Sequence, residues 1–489
     1  MVEIGFSDLK KNILNSLGIK SYKIIKKKII KLYSLNNFIS VCAPFIFSNK
    51  FSSYKTNKDN LRITIISTIK EILKISIFLL KWLFKNKSIS KINLEKKIFF
   101  FSNKLIDQYN VFPLSNFLLK KNINHSLLYS GETEKLNQLN KIFKKELFNI
   151  KNFITISNFI VGYFIFFLKK KEIKKIFKIF NFRKEEKKKI LIFYKYFFIY
   201  HELYKRLFKN KTIRIVVTNK FNTPELCALI YHLKYVKKEK NFLSVSYPFV
   251  GQGGESALYM HSNSDIILTT SKADKKIIDL MKKKKITFLP MPKLRPIGTV
   301  RNEILKNKFN KKKKSKNLSI LYIKSNNIHY NNIDDKALRM FIKSIKKFKY
   351  KINFKIKDRY HGMSSTVRQL ISDKSITKKN LINKKEIFIE KSIKEADICI
   401  GTCSSALSKQ AVWMNKPVIQ LFKDKLFMYK IKSTLTADNE KDLELILKRL
   451  LQKRYLKKIK IEADKIYKKT YFINQNPIQN FYRFFKAIK

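Results

Sequence analysis

"EADICIGTCSSALSKQAVWMNKPVIQLF", residues 395–422, decides how this chain reads. A charged start gives way to an apolar run ending at Gly401, then to small and hydroxylated residues, then to helical spacing, then to a second apolar run over 417–422. Two short apolar runs with a helix between them describe strand, helix and parallel strand, each strand buried on both faces. The hydroxyls of Thr402, Ser404 and Ser405 fall where the first strand ends and the helix begins. In a parallel sheet that is where loop amides and a helix N-terminus meet anions, and it is also where Ser and Thr serve as ordinary N-caps.

Working outward, the same alternation continues on both sides. Strands are expected at 318–325, 352–358 and 386–390, helices at 334–348, 365–373, 405–414 and 440–455, and a short helix leads from 392 into the strand ending at Gly401. Ahead of them "RNEILKNKFNKKKKSKN", 301–317, is a charged linker. A second set of strands precedes it, at 96–103, 125–132, 213–219, 242–249 and 264–271, with helices at 112–122, 223–238 and 272–284. Thr223 and Pro224 form a cap and first turn. A long helical stretch, 135–208, interrupts this set, and Pro290, Pro292 and Pro296 predict that 286–296 leaves regular structure. The fold class that follows is α/β, with two doubly wound Rossmann-like domains. The first spans 91–300 and carries the helical insertion, the second spans 318–489, and a helical Lys-rich extension covers 1–90.

With 106 Lys and Arg against 35 Asp and Glu, the 489-residue chain has a formal charge of +71. The excess is mostly Lys, spread along the chain and accompanied by abundant Ile, Asn and Phe, the pattern of an AT-biased genome. Arg, the residue suited to bidentate base and phosphate contacts, is scarce. Zinc-finger spacing and a Gly-Phe-rich RNA-binding strand motif are both missing, which argues against specific nucleic-acid recognition. A general attraction to an anionic membrane surface is expected instead. The four cysteines (Cys42, Cys227, Cys399 and Cys403) are too few for a disulfide scaffold, and the Cys399/Cys403 pair lacks the partners of a metal site, so no metal is expected. The N-terminus carries charges throughout and no secretion signal, which points to a cytoplasmic protein, peripheral on the inner face of the membrane. Residues 63–84 read as an amphipathic helix with its charges on one side. "NFITISNFIVGYFIFFL", 152–168, is uncharged and flanked by lysines, but it is too short and too interrupted by Asn and Gly to span. It reads as a buried or interfacial helix.

The stretch at 395–422 resembles the C-terminal nucleotide-binding region of GT-B glycosyltransferases, above all those of bacterial surface-polysaccharide (capsule and lipopolysaccharide) biosynthesis and the related glycerophosphotransferases. There a buried strand of the form "aD-v-I-g" leads to an "SS" or "ST" turn, a Glu-Ala helix and "GKPVI". Asp397, Ser404, Ser405, Gln410, Ala411, Asn415, Lys416 and Pro417 hold the matching positions. The first-domain segment around "VGQGGES", 250–256, resembles the family's "QHG" turn with Gln252, Gly253 and Gly254 and no His, and "NQNPIQNFYRFF", 474–485, resembles its closing helix. Gln410 stands where the family's ribose-holding Glu falls, and Asn415 replaces the Gly, a change that still permits a left-handed cap.

The resemblance implies transfer of a sugar from a nucleotide donor, bound as substrate with no further cofactor, to a glycan or lipid-linked acceptor. Donor contacts would come from Thr402, Ser404, Ser405 and Gln410, with Lys355, Lys357, Arg359 and His361 near the phosphates and Gln252, Gly253 and Gly254 as the facing cleft loop. No catalytic base stands out: Glu132, Glu255, His261 and Asp265 are each as readily caps or surface groups. Three alternatives stay open: a sugar-nucleotide epimerase, a glycerophosphotransferase, and a noncatalytic nucleotide-binding homologue that has lost the chemistry with its His and Glu.

Overall fold

Every strand pair described in the computed structural model runs parallel, and the strands form two sheets. The structure describes residues 22–46, 98–102, 105–130, 148–218, 223–247, 264–270, 292–298, 300, 303, 317–324, 331–348, 350–358, 363–382, 389–402, 410–412, 414–422, 435–470 and 476–487.

Two helices come first, α1 (Tyr22–Tyr33) and α2 (Asn37–Ser40). The first domain then runs β1 (Ile98–Ser102), α3 (Leu105–Lys120), β2 (Ser126–Tyr129), β3 (Phe148–Asn149), α4 (Ile156–Ile179), α5 (Lys184–Leu207), β4 (Ile215–Thr218), α6 (Pro224–Tyr231), β5 (Leu243–Ser246), β6 (Ile266–Thr269) and β7 (Lys293–Pro296). Its sheet has the order β3-β2-β1-β4-β5-β6-β7. The central strands are short and apolar on both faces, as in "IVVT" of β4, because helices cover both sides. Thr223 caps α6 as expected, its hydroxyl accepting from the Leu226 amide at 3.5 Å. The two N-terminal helices lie on this domain's helical layer: Phe38 meets Tyr194 edge-on at 5.9 Å, and Phe45 stacks on Phe193 at 3.8 Å.

The second domain runs β8 (Leu318–Ile323), α7 (Asn331–Lys346), β9 (Ile352–Lys357), α8 (Ser365–Ser372), α9 (Ile389–Glu395), β10 (Ile398–Gly401), β11 (Val418–Leu421), β12 (Leu435–Ala437), α10 (Glu440–Leu450), α11 (Lys453–Thr470) and α12 (Pro477–Lys486). The sheet order is β12-β11-β10-β8-β9. The last helix does not stay with it. Phe481, Phe484 and Phe485 enter the first domain's core beside Phe100 and Tyr247. Gly298, at φ +98°, lets the chain turn close under Pro477, where a Cβ would lie 2.9 Å from the proline ring.

Three expectations are corrected. Residues 293–296 form β7 despite Pro296, because β7 is the edge strand and its last residue can do without an amide on the outer side. The strand expected at 386–390 gives way at Ile389 to helix α9, residues 386–388 lying outside the described residues. The stretch 135–208 is not continuously helical. It contains β3, and α4 and α5 are separated at 180–183, where Phe180 and Phe182 turn into the core and Glu186 accepts from the Arg183 amide at 2.8 Å to start α5. The helix expected at 272–284 and most of the linker at 301–317 lie outside the described residues.

Candidate functional site

A doubly wound sheet binds its ligand outside the carboxyl ends of the strands, at the point where chain order reverses. In the second domain that point lies between β8 and β10: β9 extends the sheet on one side, β11 and β12 on the other. Thr402 follows β10 at this point and is buried. Its hydroxyl donates to the carboxylate of Asp334, in the first turns of α7, so the loop leaving β10 is tied to the helix that follows β8. Lys324, next after β8, has a fully buried side chain whose ammonium lies 2.9 Å from Asp335. Tyr322 is buried under the same corner. Burial pushes its phenol well above its ordinary pKa, and the negative charges of Asp334 and Asp335 push it further in the same direction.

The remaining candidates sit around this corner at different depths. Lys357 ends β9 in register with Ile323 and donates to the Asp358 carbonyl at 2.8 Å. Burial lowers its pKa, partly countered by Asp358. Asp358 accepts from the Ser364 amide at 2.7 Å through one carboxylate oxygen, and the other is buried without a hydrogen-bond partner among the described residues. Lys355 lies one pleat further back, in register with Leu321, and donates to the Lys379 carbonyl at 2.6 Å. It lines a cavity of about 1090 Å³ whose wall includes Ser319, Asn380 and Ala396, toward the amino ends of β8 and β10. Lys355 therefore stands apart from Thr402. Gln410 is buried and its amide donates to Glu390, a fully buried carboxylate on α9. Ser404, Ser405, Arg359, His361, Gln252, Gly253 and Gly254 lie outside the described residues, as do Glu132, Glu255 and His261.

Other motif positions are scaffold. Asn415 takes the left-handed conformation that asparagine tolerates, with φ 57°, and the Lys416 amide closes the turn on the Ala411 carbonyl at 3.0 Å. The Lys416 ammonium caps α9 through the carbonyls of Lys394 and Ala396, at 2.8 and 2.6 Å, and burial lowers its pKa. Asp397 precedes β10, at the amino end of the strand. It accepts from the Ser319 amide at 3.1 Å and pairs with Lys460 at 2.8 Å. Asp265 does the same before β6, accepting from the Ser244 amide at 2.8 Å and pairing with Lys234 at 2.6 Å. Asp265 is thereby placed at the edge opposite the ligand-binding ends, which removes it as a catalytic base. Cys399 is packed in the sheet, with burial pushing its thiol up to about 12.

Sequence reasoning missed Lys324, Asp334, Glu390 and Gln420. Lys324 had a signal, a lysine directly continuing an apolar strand, and Asp334–Asp335 is a carboxylate pair at a helix start. Gln420 had a weaker one. It sits inside "PVIQLF" opposite Gly401, fully buried, and neither atom of its amide has a hydrogen-bond partner among the described residues. A bare polar amide costs stability unless something bonds to it, so its place beside the loop after β10 marks it as part of the corner.

No family model and no curated protein matches the chain. Solved structures with a similar overall fold include the pneumococcal O-GlcNAc transferase GtfA in complex with UDP and GlcNAc, with 8% identity, a TM-score of 0.49, and coverage of 81% of this chain and 99% of that one. The UDP-GlcNAc 2-epimerase of Neisseria meningitidis bound to UDP-GlcNAc gives 13%, 0.45, 80% and 98% for the same quantities. A glycosyltransferase of Rickettsia africae gives 13%, 0.44, 81% and 99%. The two-domain parallel α/β architecture rests on the strand orders of this chain, with its final helix returned to the first domain.

Proposed function

We propose that the chain is a nucleotide-sugar-dependent glycosyltransferase that acts in the cytoplasm on a growing surface glycan. The observation that carries this reading is the Thr402–Asp334 bond across the switch point, which anchors the hydroxyl-rich loop after β10 at the ligand-binding end of the sheet. Thr402 is thereby fixed at that end, and the hydroxyls that follow it in the sequence, Ser404 and Ser405, are the donors we assign to a diphosphate. Lys357, partly desolvated at the end of β9, supplies a cation nearby, as a departing nucleotide requires. Gln410, which we assign to the ribose, is held by its bond to the buried Glu390.

The test is titration of the purified protein with UDP, GDP, CMP and CDP and their sugar conjugates, read by thermal shift at a salt concentration that suppresses nonspecific anion binding. One nucleotide class is expected to stabilise the protein, and the Ser404→Ala/Ser405→Ala variant is expected to weaken that binding by about tenfold or more. Stabilisation unchanged in the variant would refute the site, and no response to any nucleotide would refute the reading. The neutral Gln410 favours a second reading, a noncatalytic nucleotide-binding homologue, which predicts binding without nucleotide release over a panel of acceptors. Release in the absence of any acceptor would instead point to an epimerase on this fold.

A further inference from the structure

Helix α4 carries the largest run of exposed apolar side chains in the described residues. Ile160, Phe164, Phe167 and Leu168 are 59–64% exposed, and Ile156, Val161 and Tyr163 continue the same strip at 36–47%. The opposite face is closed. Gly162 lies so near α5 that a Cβ there would stand 2.6 Å from the Ile199 backbone, and Asn158, Phe166, Ile173 and Ile176 are buried on the same side. Over its last turns the helix keeps its exposed face but changes its chemistry: Lys171, Lys174, Lys175 and Lys178 replace the apolar residues. Lys195 of α5 flanks the apolar end, 5.2 Å from the Tyr163 ring and 5.9 Å from Phe159.

We infer that this face of α4 is the surface by which the protein docks on a bilayer of anionic phospholipid. The apolar strip from Ile156 to Leu168 is about 18 Å long, well short of the roughly 30 Å hydrocarbon core of a bilayer. No described helix is long and apolar enough to cross a membrane, so α4 lies along the surface with its apolar end inserted and its lysines among the phosphates. Charge decides between the occupants. A second copy of a chain carrying +71 would be repelled at this face, and seven exposed side chains fall well short of the roughly 20–30 residues a side of a stable protein interface. An anionic bilayer satisfies both halves of the helix at once. The inference stands apart from the nucleotide reading, because no residue of α4 belongs to that site.

The experiment is flotation of the full chain with vesicles of phosphatidylcholine alone and of phosphatidylcholine containing phosphatidylglycerol. Binding is expected to the anionic vesicles, and to fall about tenfold or more in the Ile160→Ser/Phe164→Ser/Phe167→Ser variant with its melting temperature unchanged. A Phe164→Trp variant should show blue-shifted emission and quenching by brominated lipid only when bound. Equal flotation of the triple variant would assign any binding to diffuse basic charge and overturn the inference. So would a shift from dimer to monomer in the variant, which would make the face a contact between copies. A large fall in melting temperature would also overturn it, because the face would then be packed within the protein rather than open.

Discussion

Asp265 and Asp397 hold the same post in the two domains. Each stands just before an interior strand, takes an amide of the neighbouring strand and is paired with a lysine from a helix. The short words "SDIIL" and "ADICI" record this, and what they encode is register: the carboxylate fixes where one strand starts against the next. Burial pushes the Asp397 carboxyl up, while the Lys460 ammonium and the Ser319 amide together bring it below its ordinary value. The unfolded chain therefore takes up the proton first as the solution is acidified. The latch contributes fully above the ordinary aspartate pKa of about 4 and is lost as pH falls through the lower folded value. Replacing Asp397 by Asn is expected to cost about 1 kcal/mol near neutrality, since the pair is partly exposed. The difference from the parent in urea midpoint should hold near neutrality and shrink as pH falls below about 4. A difference constant with pH would mean that the amide bond to Ser319 survives in the Asn side chain and the charge contributes nothing.

Among the elements, the pairing of α4 with α5 decides how the insertion is built. Gly162 is the point of closest approach, with Ile199 and Phe198 backbone atoms at 2.6–2.9 Å from where its Cβ would be. Two effects oppose each other in Gly162→Ala. Helix propensity favours alanine by about 1 kcal/mol, and overpacking against backbone costs about 1–3 kcal/mol or more. Backbone cannot rotate out of the way as a side chain can, so overpacking wins and a lower urea midpoint is expected. A midpoint equal to the parent's would show that the two helices slide apart at no cost. Both helices fall within the helical stretch expected at 135–208, α4 largely on its uncharged run 152–168. The break between them was not legible, because Phe180 and Phe182 read as one more apolar turn until the core they enter is known.

On the scale of the whole molecule, the chain ends in the domain where it did not begin its last third. Phe481 lies 5.8 Å from Tyr247 and Phe485 lies 5.7 Å from Phe100, so α12 completes the first domain's core although it follows the second in sequence. Phe481→Ala is expected to remove about 3–5 kcal/mol of packing. Two domains need not unfold together, so the measurement is domain-specific: hydrogen exchange should rise in β1 and β5 and leave β8 and β10 unchanged. Exchange rising equally in both sheets would show that the domains unfold as one unit.

The sequence by itself determined the two alternating α/β units, the parallel sheets, the capped helix after Thr223, a residue at 415 that tolerates a left-handed turn, and a helix on the uncharged run 152–168. These are local matters: apolar period, cap chemistry and tolerated φ are set within a few residues. Only the tertiary structure decided that Pro296 ends an edge strand, that the chain order reverses between β8 and β10, and that Thr402 meets Asp334. It also decided that Gln410 faces Glu390 and that the open side of α4 is the side carrying Phe164 and Phe167. Each of these depends on which distant segment arrives as neighbour. That choice is made by the packing of whole faces against one another, and no stretch of sequence records its own partner.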